Sequence, residues 1–320
     1  MAKPSPIRTK PQSQPYPPVQ GGSLLQEELL PAFGGNPVAL DPTARRELPL
    51  LNAGTKVGVL GILVNATDYD RATEAIIRAA QVQRPYAVSA LGVPGVMTGV
   101  LDPMQRFRLN HLDLVTPDGQ PVRWAMNLLH GTGLRERVYG PNLTLAVCER
   151  AALEGLPIYL YGARRKTLAK LTRNLESWYP GIKVAGSRPS LFRRMTEEER
   201  WEIARDIRES GARIVFVGLS CPQQEVWVYE MRKFLPMPLL AVGASFDFHA
   251  GNAPQAPAWM QSRGLEWLFR VRHNPFRLWK RYLLLNPLYA ILVALARFGI
   301  TPRMANRANS IPPKDEVRYG

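Results

Sequence analysis

The chain has 320 residues, 46% of them hydrophobic, enough for one well-buried domain with appendages and too many for a disordered or fibrous protein. Its formal net charge of +15 and pI near 10.1 imply an anionic partner: nucleic acid, an acidic membrane face or a phosphorylated substrate. Two cysteines, Cys148 and Cys221, and four scattered histidines offer neither a disulfide framework nor metal-ligand spacing.

Residues 1–50 hold ten of the 29 prolines. Proline removes backbone donors and resists helix, so this stretch reads as a disordered or extended leader, with a short amphipathic piece at Ser23–Leu30. Its first residues, Met1-Ala-Lys-Pro-Ser-Pro6, lack an apolar core, so no cleaved secretory signal is expected and a reduced cytosolic compartment fits the two cysteines. From Thr55 onward, short apolar runs alternate with amphipathic segments. The predicted strands are Val57–Val64, Tyr86–Leu91, Leu112–Val115, Pro157–Leu160, Ile182–Val184, Ile214–Val217 and Leu239–Val242. The predicted helices are Asp70–Val82, Pro103–Asn110, Pro121–Leu129, Leu143–Glu154, Lys166–Trp178, Glu197–Glu209 and Gln224–Phe234. This alternation predicts an α/β core over 51–255, a parallel sheet with helices on both faces and ligands at the strands' carboxyl ends.

From 256 to 303 the composition shifts. Between Arg263 and Arg303 stand eight Lys or Arg and one acid, Glu266, interleaved with Trp267, Phe269, Phe276, Trp279 and Tyr282. The apolar run from Tyr289 is too short to span a bilayer, and Asn286-Pro287 and Arg297 interrupt the longer one from Tyr282 to Ile300. A basic, aromatic, apolar helical appendage suits the interface of an anionic membrane, whereas a core-docked helix with a solvated basic face is the plainer reading. A polar tail, 304–320, follows.

Four places can carry chemistry. Asp118, in Val115-Thr-Pro-Asp-Gly-Gln120, ends a strand and precedes a helix, where a carboxylate can act as general base; Pro-Asp-Gly is also an ordinary turn. Gly162-Ala-Arg-Arg-Lys-Thr167 opens a helix with three cations, fit for a diphosphate or simply a basic turn, and it is not a Walker loop. In Gly218-Leu-Ser-Cys-Pro-Gln-Gln-Glu225, Gly218 permits close backbone approach and Gln224 offers both donor and acceptor; Glu225 contacts ligand or complements the helix dipole. Asp68-Tyr-Asp70 has a metal-binding form but reads better as a helix cap. No G-x-G-x-x-G follows the first strand, so a dinucleotide cofactor has no support.

The ordered set Gly218–Glu225, Val242-Gly-Ala-Ser-Phe-Asp-Phe-His-Ala-Gly251, Ala256-Pro-Ala-Trp259, Gly264-Leu-Glu-Trp-Leu-Phe-Arg270 and Asn274-Pro-Phe-Arg-Leu-Trp-Lys-Arg281 resembles the WecG/TagA/CpsF family of glycosyltransferases. Asp113-Leu-Val-Thr-Pro-Asp-Gly119 and Arg135-Glu-Arg-Val-Tyr-Gly-Pro-Asn142 extend the resemblance, which covers about Lys56 to Arg281. It implies a Rossmann-like core and transfer of a sugar from a UDP-sugar to a hydroxyl on an undecaprenyl-diphosphate-linked saccharide. Asp118 would be the base, and Ser89 would stand for the family's threonine hydroxyl. Gly119, Arg137, Gly162, Gly218, Gln224, Glu225, Asp247, Arg270, Arg277 and Arg281 are the substrate-binding positions the resemblance implies. It implies no metal and no cofactor, and a peripheral place on the cytoplasmic face of the cell membrane. Leu91, Gln255, Asn274 and Asn142 depart from the family pattern. A membrane-bound scaffold without turnover and a nucleic-acid-binding protein are the alternative readings, and a homo-oligomer is compatible with either.

Overall fold

The computed structural model describes residues 53–273, 275–306, 310–313 and 319–320, with side chains throughout except at 274–281. The proline-rich leader, Ser23–Leu30 included, lies outside the described residues. The first elements are strands β1 (Lys56–Val59) and β2 (Ile62–Asn65), followed by α1 (Tyr69–Gln81), β3 (Tyr86–Leu91), α2 (Val93–Leu101), α3 (Pro103–Asn110), β4 (Leu114–Pro117), α4 (Gln120–His130) and α5 (Gly140–Leu153). Next come β5 (Ile158–Gly162), α6 (Arg165–Trp178), β6 (Val184–Arg188), α7 (Glu197–Glu209), β7 (Ile214–Gly218), α8 (Gln223–Met231) and β8 (Pro238–Ala241). Helices α9 (Ser245–His249), α10 (Ala258–Ser262), α11 (Glu266–His273) and α12 (Pro275–Arg297) close the domain.

Six strands form one sheet in the order β4-β3-β8-β7-β5-β6, every pair parallel. Side chains alternate between its faces with the two-residue period of a strand. Tyr159, Tyr161, Val215, Val217, Leu239 and Ala241 enter one apolar cluster with α2, α4, α7, α8 and α12. Ile158, Leu160, Ile214, Phe216 and Leu240 enter the other, with α1, α5, α6 and α9. Burying one such Ile or Leu stabilises the fold by about 1.5–3 kcal/mol, so burial on both faces is what holds the layers together. Helix α6 leaves β5 toward one face and α8 leaves neighbouring β7 toward the other, the divergence at strand carboxyl ends where parallel sheets bind their ligands. The Rossmann-like α/β class expected from the alternation is the fold observed.

One predicted element needs correction. Val57–Val64 is not a strand of the sheet but the antiparallel hairpin β1–β2, turned at Leu60 and Gly61, which have φ of 52° and 82°. Left-handed backbone at both turn residues matches the strand twist. The hairpin sits beside edge strand β4, where Asn65 Oδ1 accepts the Val115 N–H at 2.9 Å, covering an edge amide. Asn286-Pro287, which interrupts the apolar run, does not end the helix: α12 runs through Pro287. Leu283 and Pro287 are exposed there, so the carbonyl freed by the proline lies on the solvent side. Leu285, Leu288, Tyr289, Leu292, Val293 and Ala296 pack the inner face of α12 against the core, and Tyr289 Oη donates to the Pro121 carbonyl of α4 at 3.2 Å. Leu283, Leu284 and Ile291 stay exposed. Among the described residues no helix is long and apolar enough to cross a membrane.

Candidate functional site

Helices α2, α4, α6 and α8 spring directly from the carboxyl ends of β3, β4, β5 and β7. None has a side-chain cap; their N-cap positions are Gly92, Gly119, Arg164 and Pro222. By contrast α1 and α3, which do not follow a strand of the sheet directly, and α7, which follows β6 only after the loop from Pro189 to Thr196, are capped by Asp68, Asp102 and Thr196. Asp68 therefore has the cap role read for it in the sequence, its Oδ1 accepting the Arg71 N–H at 2.8 Å. Open helix N-termini at the ligand-binding end of a parallel sheet are donors suited to anions.

Asp118 follows the last residue of β4 and is half-buried at the centre of this end. Its own N–H donates to the Leu91 carbonyl at 3.3 Å, while Oδ1 accepts the Gly140 N–H, the first of α5, at 2.6 Å. Gly92 and Gly140 leave the carboxylate its space: a Cβ on either would lie 3.4 Å from Oδ2 or 3.2 Å from Oδ1. Burial pushes the Asp118 carboxyl above the usual carboxylate range. Arg137, the Gly140 hydrogen bond and Arg270 oppose that rise, and Glu266 adds to it. A carboxylate that is buried yet faces helix N-termini is a stronger base than a solvated aspartate.

Beside it lies a clamp between α11 and the segment leading into α5. Glu266 Oε2 pairs with Arg137 Nη2 at 2.9 Å, and its Oε1 takes hydrogen bonds from Arg270 Nη2 at 2.6 Å and Tyr139 Oη at 2.7 Å. Arg137 stacks over the Tyr139 ring, 4.0 Å from its centre, and donates to Gln261 Oε1 at 3.0 Å. Burial alone would raise the Glu266 carboxyl, but the two arginines and their hydrogen bonds outweigh it and hold the group below its ordinary value. Burial likewise disfavours the charged Arg270, yet Glu266 holds its pKa above the usual arginine value. Neither Glu266 nor Tyr139 is among the residues the sequence motifs single out for chemistry. The available signal was that Glu266 is the lone acid among eight cations.

Ser89, Gln224 and Glu225 come together on the α8 face of the sheet. Ser89 is fully buried on β3 and donates to Glu225 Oε1 at 3.4 Å, and Gln224 Nε2 donates to the same oxygen at 2.8 Å. The Gln224 Oε1 atom is buried and accepts no hydrogen bond among the described residues. It sits where a Cβ on Gly243, whose φ is +47°, would come within 2.7 Å. Gly162 and Gly218 pair across β5 and β7, and a Cβ on Gly162 would meet the Gly218 carbonyl carbon and oxygen at 2.8 Å. The space over Gly218 is filled by the Phe246 ring, so its close contact here is with the core. Arg164, Arg165 and Lys166 are exposed at the opening of α6. Asp247 is exposed on α9 and reaches Asn252 Nδ2 at 3.5 Å, which in turn donates to Thr167 on α6 at 2.9 Å. Gly119 stands at the N-cap position of α4, next to Asp118. Leu91 packs in the core. Arg277 and Arg281 belong to α12, but their side chains lie outside the described residues, as does Asn274 altogether.

The structure thus brings Asp118, Gly119, Arg137 and Arg270 to one corner and Ser89, Gln224 and Glu225 to a second, all at the carboxyl end of one parallel sheet. A carboxylate beside open helix N-termini and arginines can act as a base next to a bound anionic group. The sequence model described as "Glycosyl transferase WecG/TagA/CpsF family" matches residues 57–302, and the chain belongs to that family. It is similar to the N-acetylglucosaminyldiphosphoundecaprenol N-acetyl-beta-D-mannosaminyltransferase of Bacillus subtilis (strain 168), 32% identical over 186 residues, 58% of this chain and 70% of the relative. It is also similar to the protein of the same description from Bacillus spizizenii (strain ATCC 23059 / NRRL B-14472 / W23), 30% identical over 219 residues, 68% of this chain and 80% of the relative.

Proposed function

We propose that this protein transfers a sugar, in the manner of an N-acetylhexosaminyl- or hexosyltransferase, from a UDP-sugar to a hydroxyl on an undecaprenyl-diphosphate-linked saccharide in the synthesis of a cell-surface polysaccharide. Asp118 carries the reading: it is a half-buried carboxylate held by the first N–H of α5 and flanked by the uncapped starts of α2 and α4. Asp118 takes the proton of the acceptor hydroxyl as its oxygen bonds to the anomeric carbon. The bond to UDP breaks on the opposite side, inverting that carbon, and the departing diphosphate meets helix N-termini and arginine. Gln224 Oε1, an acceptor with no protein donor among the described residues, suits an N–H of the uracil or of an acetamido group. The relatives' activity on a lipid-diphosphate acceptor supports the acceptor class.

The site works without a metal or cofactor in this reading, and the protein binds peripherally at the anionic cytoplasmic face of the membrane. Exposed Leu283, Leu284 and Ile291 on α12, with Phe298 and Ile300 just beyond it, in a chain of net charge +15, support that placement. The test is UDP release from a panel of UDP-sugars with a synthetic lipid-diphosphate saccharide and EDTA, beside co-sedimentation with anionic vesicles. Release with one donor that collapses in Asp118→Asn is expected. No release from any donor, with vesicle binding intact, overturns the enzyme and leaves a membrane-bound scaffold.

A further inference from the structure

The clamp around Glu266 joins segments far apart in the chain. Arg137 and Tyr139 belong to the connection into α5, Gln261 to α10, and Glu266 and Arg270 to α11. Both Glu266 oxygens are engaged within 2.9 Å, and the carboxylate is buried together with Arg137. Gly140, whose N–H holds Asp118, directly follows Tyr139. A single side chain therefore fixes α11 to the same turn that orients the candidate base.

We propose that Glu266 is a positioning residue for sugar transfer: it latches α11 to the start of α5 and holds Arg137 and Arg270 beside Asp118. The inference rests on the transfer reaction proposed above. The charged groups acting on Asp118 are Arg137 from the connection into α5 and Glu266 and Arg270 from α11, while α2 and α5 meet it with Gly92 and Gly140. Two cations and two carboxylates make a neutral quartet when Asp118 is ionised. Removing the Glu266 charge leaves two cations facing Asp118, which favours its ionised form and makes it a weaker base. It also leaves two guanidinium groups without their fixed acceptor, and a misplacement near 1 Å at a reacting centre costs about 100-fold in rate.

The test compares wild type, Glu266→Gln and Glu266→Asp in the UDP-release assay across pH, with hydrogen exchange of α11 amides on the same proteins. In Glu266→Gln, kcat/KM should fall about 100-fold. The acid limb of its pH profile should move to lower pH, and amides of 266–273 should exchange at least about 10-fold faster as local opening becomes easier. Glu266→Asp should return the limb to its wild-type position and recover most of the rate. Equal losses in the Gln and Asp variants with an unmoved limb would reduce Glu266 to a structural residue, and unchanged exchange in Glu266→Gln would overturn the latch. If wild type itself releases UDP from no donor, the transfer reading fails, and the exchange result alone decides whether the latch exists.

Discussion

Helices α1, α3 and α7 begin with Asp or Thr side chains bonded to their first N–H groups, whereas α2, α4, α6 and α8 begin with glycine, arginine or proline and no such bond. A cap stabilises a helix start by about 1 kcal/mol, so its omission at four starts on one end of one sheet forgoes stability there. Capped starts serve the fold. The uncapped starts of α2 and α4 leave donors and partial positive charge beside Asp118, whose carboxylate takes the first N–H of the likewise uncapped α5. The same division holds for side chains: Thr196 and Glu199 bond each other's backbone reciprocally, while Gln224 Oε1 is buried with no donor among the described residues.

The largest effect expected from this division is at Asp118. Replacing it with Asn removes the proton acceptor but keeps the shape and the Gly140 bond, so kcat should fall by about 10²–10⁴ with little change in thermal stability. Because burial raises the Asp118 carboxyl, activity must decline on acidification at a pH above the usual aspartate range. An acid limb at the ordinary value would place the base elsewhere. Next, Gln224→Ala removes one buried acceptor and should lower donor affinity about 10- to 50-fold, measured by isothermal titration with UDP-sugar. Unchanged affinity would assign Gln224 to the support of Glu225 alone. Smaller, and aimed at the helix starts themselves, is Gly119→Ser. A Cβ there meets nothing closer than 3.6 Å, so the serine fits and supplies α4 with the cap it lacks. Thermal stability should hold or rise by a few tenths of a kcal/mol, while transfer falls about 10-fold as the new hydroxyl competes for the N–H groups. A stabilised and fully active variant would show that the α4 start is not used.

Much of this was legible in the sequence because it is local. Strand and helix alternation, the turn that carries Asp118 and the glycine at the end of β7 are short-range patterns. The elements that escaped were set by tertiary surroundings. Val57–Val64 is one apolar run, and nothing in Leu60-Gly61 resembles the Asn-Gly pair that announces a hairpin. Helix α2 is apolar on nearly every side because sheet, α3 and α12 enclose it, so no 3.6-residue period marks it. The Glu266 clamp depends on partners 127 and 129 residues away, Tyr139 and Arg137, and no local pattern reports such a pairing.

The smallest effect comes from the capped side and should leave catalysis untouched. Thr196 Oγ1 accepts the Glu199 N–H at 3.2 Å and a Glu199 carboxylate oxygen accepts the Thr196 N–H at 2.9 Å, satisfying two donors at the start of α7. The Glu199 carboxyl is drawn down to about 2, first by its bond from Arg193 and then by the Thr196 N–H. A depressed acid contributes stability above its unfolded value near 4.5 and loses that contribution as pH falls toward 2. Thr196→Ala should therefore cost about 1 kcal/mol, a drop in Tm of about 2–4 °C at neutral pH, with kcat/KM unchanged. Acidification below pH 4.5 should narrow any part of the gap that comes from a weakened hold on Glu199, since protonation weakens that hold in wild type too. A Thr196→Ala variant that kept its Tm but lost transfer would put α7 on the substrate side and break the division between closed and open helix starts.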